Sequence, residues 1–187
     1  MKSLLLGICM IIVLALPPMR ELLESVMIVH MLVQLPLLII FGWIIGKYLL
    51  QRFPGFFANW NGNGIPGIII VIFVTTYWMI PRAVDEALTY PAVELFKFIS
   101  LPIVGILLAD SWKKILLIGR SFVFLNYLSM FGLMAWLYID APIQICNNYL
   151  VAEQKALGWG FVIITAAMVL FTLQYVFIDH SENLPSE

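Results

Sequence analysis

Charge is what this sequence has least of. Asp, Glu, Lys and Arg make up 11% of its 187 residues against a hydrophobic share of 63%, where a soluble domain is typically about half apolar and about a quarter charged. That shortage excludes an ordinary soluble domain and points to a protein embedded in a membrane. The few cations are scattered rather than clustered, and with a net charge of -1 they form no basic stripe, which excludes a nucleic-acid role. Histidine is scarcer still, with two in the chain. His30 lies in an apolar run and His180 in a polar tail, so a haem held in the membrane by two histidines is excluded. Cys9 and Cys146 stand far apart in different settings, which excludes a zinc cluster and argues against a disulfide framework. No GxxxxGK[ST] string offers a phosphate loop, and no Glu-x-x-His pair offers a dimetal carboxylate site.

Long apolar runs are what the sequence has instead. A helix needs about 20 mostly apolar residues to cross the hydrocarbon core, and six segments qualify, near 3–19, 25–46, 66–84, 91–110, 115–138 and 157–178. Backbone polar groups cannot go unpaired in lipid, and the runs do not alternate as barrel strands would. The expected fold is therefore all-α, a polytopic membrane helical bundle of about six transmembrane helices. Residues 1–178 form a single bundle domain, followed by a polar tail, 179–187. The opening "MKSLLLGICMIIVLALPP" starts like a secretory signal. Lacking a small-x-small cleavage site before Pro17-Pro18, it is expected to be retained as the first helix. The Gly- and aromatic-rich connection 53–67, "FPGFFANWNGNGIPG", suits an interfacial turn.

Basic residues set an expected orientation. Lys2, Lys47, Arg52, Lys113, Lys114 and Arg120 fall on the side of the N-terminus, and Arg20, Arg82 and Lys155 on the other. The positive-inside rule then makes both termini cytoplasmic.

Ionisable residues within spans are costly and usually face a bundle interior with a partner. His30 and Gln34 are one helical turn apart in the second run; Arg82, Asp85 and Glu86 follow the third; Glu94 and Lys97 open the fourth; Glu153, Gln154 and Lys155 precede the sixth. All fall on the extracytoplasmic side. Spacing predicts a Glu94–Lys97 ion pair and a second between Arg82 and Asp85. Two readings stand: the pairs hold one helical hairpin at the interface, or helices two, three, four and six close around a polar pocket. On the cytoplasmic side Asp110, Lys113 and Lys114 read as snorkelling helix-end residues, and Asn126 as interhelical glue. Cuprous copper accepts thioether, thiolate and imidazole, and Met27, Met31, Met79 and Cys146 share the side of His30. Methionines in apolar helices are more often packing. Cys146 itself reads equally as a free thiol, a copper ligand or a partner contact.

Four strings resemble, in order, blocks of the multi-spanning CtaG family: "HMLVQLPLL" (30–38), "YWMIPRAVDEAL" (77–88), "PAVELFKF" (91–98) and "AEQKALG" (152–158). The family consists of bacterial membrane proteins linked to assembly of copper-containing cytochrome c oxidase. Its blocks run H-M-x-x-H with P-L-L, W-H-x-P-x-x-Y-D-x-A-L, V-H-x-x-E-H and D-Q-x-x-x-G. His30, Met31 and Pro36 to Leu38 match the first block. Trp78, Pro81, Asp85, Ala87 and Leu88 match the second, Val93 the third, and Gln154 and Gly158 the last, with Glu153 in place of Asp. Gln34, Met79, Glu94 and Phe98 stand where the family has histidine, which leaves one imidazole of five.

The resemblance implies an accessory factor in assembly or copper supply of a cytochrome c oxidase or related copper enzyme, in a bacterial inner membrane. Its partners would be lipid and oxidase subunits or assembly factors. The expected polar pocket is His30, Gln34, Arg82, Asp85, Glu94, Lys97, Glu153 and Gln154, with His30 and Met79 as candidate copper ligands. A structural subunit of a larger membrane complex and a small transporter component are the alternatives. No nucleophile, base and cofactor converge in the sequence, so an enzyme is not expected.

Overall fold

A computed structural model describes residues 2–141 and 144–177; the expected tail, with His180, lies outside the described residues. Every regular element among the described residues is helical: α1 (Lys2–Ala15), α2 (Pro17–Glu24), α3 (Met27–Val29), a π-helical turn (His30–Gln34), α4 (Leu35–Arg52), α5 (Pro54–Trp60), α6 (Ile65–Met79), α7 (Pro81–Thr89), α8 (Pro91–Lys114), α9 (Leu117–Asp140) and α10 (Val151–Phe177). The run Met27–Arg52 and helices α8, α9 and α10 are long and apolar enough to cross a membrane; counting each of two bent pairs as one span gives six. The protein is a multi-pass membrane protein whose apolar faces meet lipid.

Proline decides where the runs break, because it pushes the preceding residue out of the helical region. Leu16 before Pro17 is extended (φ -62°, ψ 135°), so the expected helix 3–19 stops at Ala15 and α2 turns 70° away. Ile80 before Pro81 is likewise extended (φ -68°, ψ 125°), which cuts the expected 66–84 into α6 and α7. At 15 residues α6 reaches only about 22 Å at 1.5 Å per residue, short of the hydrocarbon thickness of about 30 Å. Its entry is α5, an 83° bend away, which fills the expected 53–67 turn. Gly64 makes that corner in the left-handed region (φ 76°), which glycine adopts without strain.

The central contact is α4 against α8, at backbone distance. A Cβ on Gly42 would lie 2.1 Å from the Pro102 carbonyl oxygen, and one on Gly105 2.0 Å from that of Ile39. Gly42 and Gly46 form the small-xxx-small stripe that lets membrane helices approach closely; helix α1 packs on α4, α6 on α8, and α10 on α9. One apolar core, with Met27, Leu38, Trp78, Val84, Leu101 and Phe161, lies under the end that bears His30. A smaller one, with Ile68, Val71, Val104 and Val123, lies toward the opposite, basic end.

Candidate functional site

His30 sits where the backbone is widened. Pro36 has no N–H and its ring crowds the carbonyl four residues back; the chain responds with a π turn in which the Leu35 N–H bonds to the His30 carbonyl. Single π turns inside α-helices often mark functional positions. Here the turn carries His30, Met31 and Gln34 inward, all buried.

Helix α2, laid over this end by the break at Leu16, supplies partners that spacing alone did not reveal. Arg20 and Glu24 lie four apart on α2, and Glu94 and Lys97 three apart on α8, with the order of charge reversed. Arg20 Nη1 lies 2.8 Å from Glu94 Oε1, an ion pair between the two helices. Glu24 Oε1 receives the fully buried Lys97 ammonium in a short contact. The expected Glu94–Lys97 pair is thus replaced by two bridges between helices. Arg82 likewise pairs one turn on with Glu86, at 2.7 Å, rather than with Asp85.

Lys97 Nζ is also 3.3 Å from His30 Nε2, and His30 Nδ1 is 2.8 Å from the Tyr149 hydroxyl. The Tyr149 proton goes to the Glu24 carbonyl oxygen at 2.8 Å. A hydroxyl has one proton and an ammonium only donates, so the donor count assigns the histidine proton: Nδ1–H donates to Tyr149, and Nε2 accepts from Lys97. Gln34 Nε2 donates to Glu24 Oε1 at 3.2 Å, while its Oε1 is buried without a partner among the described residues. The reverse amide orientation would set two oxygens against each other.

Tyr149 reaches His30 because the irregular segment 144–150 is pinned from two sides. Buried Gln154 accepts from the Ile145 N–H at 3.0 Å and donates to the carbonyls of Cys146 at 3.0 Å and Tyr149 at 2.9 Å. Asp85 accepts from the Asn148 N–H at 2.9 Å, from Asn148 Nδ2 at 2.8 Å and from Asn147 Nδ2 at 3.2 Å. Glu153 accepts from the Leu150 N–H at 3.1 Å, satisfying a free donor at the start of α10. Burial, reinforced by the Glu24 carboxylate, raises the Tyr149 pKa, so the phenol keeps its proton. Burial chiefly, with Asp85 adding to it, pushes the Cys146 thiol up to about 12.

The structure therefore brings His30, Gln34, Glu94 and Lys97 into one cluster, with Asp85, Glu153 and Gln154 as its loop supports. Arg82 stays on the exposed rim. Arg20, Glu24 and Tyr149 are the members missed. The first two were legible as a charge pattern on α2 complementary to that on α8; Tyr149 belongs to an irregular segment and carries no periodic signal.

These residues do not form a set suited to cuprous copper. Both ring nitrogens of His30 are engaged, and a metal at Nε2 would displace, or sit against, an ammonium. Met79 lies elsewhere: with Met31, Leu35, Pro36 and Trp78 it lines an apolar cavity of about 60 Å³ that His30 does not line. Among the described residues no three His, Cys, Asp or Glu side chains converge in a metal-holding group.

At the basic end, Asp110 is no snorkelling residue, being buried at 5% exposure. Its carboxylate accepts from Asn61 Nδ2 at 2.6 Å and pairs with Lys114 at 2.7 Å, while Asn61 Oδ1 takes the Gly67 N–H at 2.9 Å. This knot ties the α5–α6 corner to α8. Asn126, expected as interhelical glue, has its Oδ1 buried without a partner among the described residues.

Comparison of the chain with protein-family models, with curated proteins and with solved structures gives no match.

Proposed function

We propose that this protein is a non-catalytic accessory factor of a membrane complex, acting in assembly of a cytochrome c oxidase or related copper enzyme in a bacterial inner membrane with both termini cytoplasmic. The observation that carries the reading is convergence. Four stretches, 30–38, 77–88, 91–98 and 152–158, drawn from three well-separated parts of the sequence and each resembling a block of one family, supply His30, Asp85, Lys97 and Gln154 to one end of the bundle. In this reading the cluster works as a charge lock. The Lys97 ammonium takes the place of a bound cation between a carboxylate and an imidazole, and the locked ends of α2, α7, α8 and α10 present a fixed surface to a client protein.

A second reading, a structural subunit of a larger membrane complex, is favoured by the groove between α9 and α10. This groove, about 640 Å³, is lined by Gly132, Ala135, Trp136, Ala166 and Val169 among others, small enough at its floor to seat another helix. The two readings separate on His30→Ala in cells that depend on the oxidase. The accessory role predicts lower oxidase activity at unchanged abundance of this protein. Unchanged oxidase activity, or a fall that only follows the protein's own abundance, would refute it.

A further inference from the structure

The basic end of the bundle holds a cavity of about 560 Å³ with a charged edge and apolar walls. Leu50, Pro54, Ala58 and Ala109 form the walls, and Lys113, Lys114 and Asp110 the polar side. Two of the three charges are already spent on each other. Asp110 is paired with Lys114, whose ammonium also donates to the Asn61 carbonyl at 2.9 Å. Lys113 is exposed and makes no such contact among the described residues, so it stands as the uncommitted positive charge at the mouth of the cavity.

The surroundings reinforce that sign. Arg52, two residues before Pro54, stands exposed with its guanidinium 5.6 Å from the Phe53 ring. Lys47 and Arg120 belong to the same end, and Asp110 is the one acid found there among the described residues. Depth follows from α5, which lies across the bundle end and, with Phe53 just before it, exposes Phe53, Phe56 and Trp60 at 52%, 65% and 42%. Exposed aromatics in such a belt sit at headgroup level. A site at that depth, cationic at the mouth and apolar within, suits a molecule with an anionic head and a hydrocarbon tail.

We infer that this cavity binds an anionic phospholipid, with the headgroup phosphate against Lys113 and Arg52 and the upper acyl chain along Leu50, Pro54 and Ala58. Basic pockets between helices at the membrane surface recognise such headgroups. The cavity lies at the opposite end from the His30 cluster, so the inference stands independently of the proposed function.

The test is lipid retention by native mass spectrometry. The full chain is reconstituted in phosphatidylcholine nanodiscs doped with increasing phosphatidylglycerol, then released and weighed. The wild type is expected to keep phosphatidylglycerol in preference to phosphatidylcholine. Lys113→Gln should lower that preference by about fivefold, the effect of about 1 kcal/mol for one basic residue near an anionic surface, and Lys155→Gln at the other end should leave it unchanged. Lys113 is exposed and has no ion-pair or hydrogen-bond partner among the described residues, so an unchanged melting temperature verifies that the variant folds. Equal retention by both variants, or no preference in the wild type, would overturn the inference. So would displacement of the lipid by inorganic phosphate at low concentration, which would mark the cavity as a site for free phosphate.

Discussion

Removing either partner of the Glu24–Lys97 bridge should destabilise the bundle, and by unequal amounts. Breaking a buried pair from one side costs roughly 3–5 kcal/mol, because the remaining charge is left uncompensated. The structure orders the two variants. Glu24→Gln leaves the Lys97 ammonium fully buried without its counter-charge, with His30 Nε2 as its other close acceptor among the described residues. Lys97→Met leaves a carboxylate that is 10% exposed and still receives Gln34. Glu24→Gln is therefore expected at the upper end of the range and Lys97→Met at the lower. At roughly 2–4 °C per kcal/mol for a chain of this size, the losses in melting temperature lie between about 6 and 20 °C. Tryptophan fluorescence during thermal unfolding in detergent reads them. The double variant removes both charges and should recover much of the loss, since it leaves no uncompensated buried charge. Additive losses, with the double variant as unstable as the two singles together, would refute the buried-pair account.

Other expectations follow from single residues. Gly105→Val should separate α4 from α8 and cost about 1–3 kcal/mol or more through overpacking; Gly119→Ala, whose nearest neighbour would be 3.5 Å away, should melt like the wild type. Tyr149→Phe should cost about 1–3 kcal/mol by leaving the Glu24 carbonyl and His30 Nδ1–H without their shared partner, read in the same assay. Only the thiolate attacks a maleimide. With its pKa raised toward 12, Cys146 stays protonated at neutral pH, and mass spectrometry of the Cys9→Ser variant should find it unlabelled until the protein is denatured. Labelling at the rate of a free peptide thiol would place Cys146 outside the pinned segment.

The spans were legible because lipid leaves the backbone few choices: an apolar run of sufficient length must be a helix. Their breaks were less so, since the expected third span runs on past Pro81 to residue 84 and only the effect of that proline on Ile80 divides it. The polar cluster was half legible. His30, Gln34, Lys97 and Gln154 stood out because each is costly in an apolar setting, but cost does not name a partner. Spacing along one helix favoured Glu94 for Lys97, whereas the chain break at Leu16 folds α2 over the end and brings Glu24 closer in the effective sense, from a different helix and with deeper burial. Asp110 was misread for the same reason: its ligand Asn61 comes from the α5–α6 corner, whose geometry depends on Gly64. The close α4–α8 crossing was written in Gly42 and Gly46, a spacing that acquires meaning only once Gly105 is known to face it.

The central claim is that a lysine ammonium, and no metal, satisfies the acceptor side of His30. Its most direct test is the copper content of the purified protein after loading with Cu(I), comparing the wild type with the His30→Ala, Met79→Ala double variant. The account predicts that the two hold the same amount of copper, none of it dependent on His30. Near-stoichiometric copper in the wild type that is lost in the double variant would contradict it.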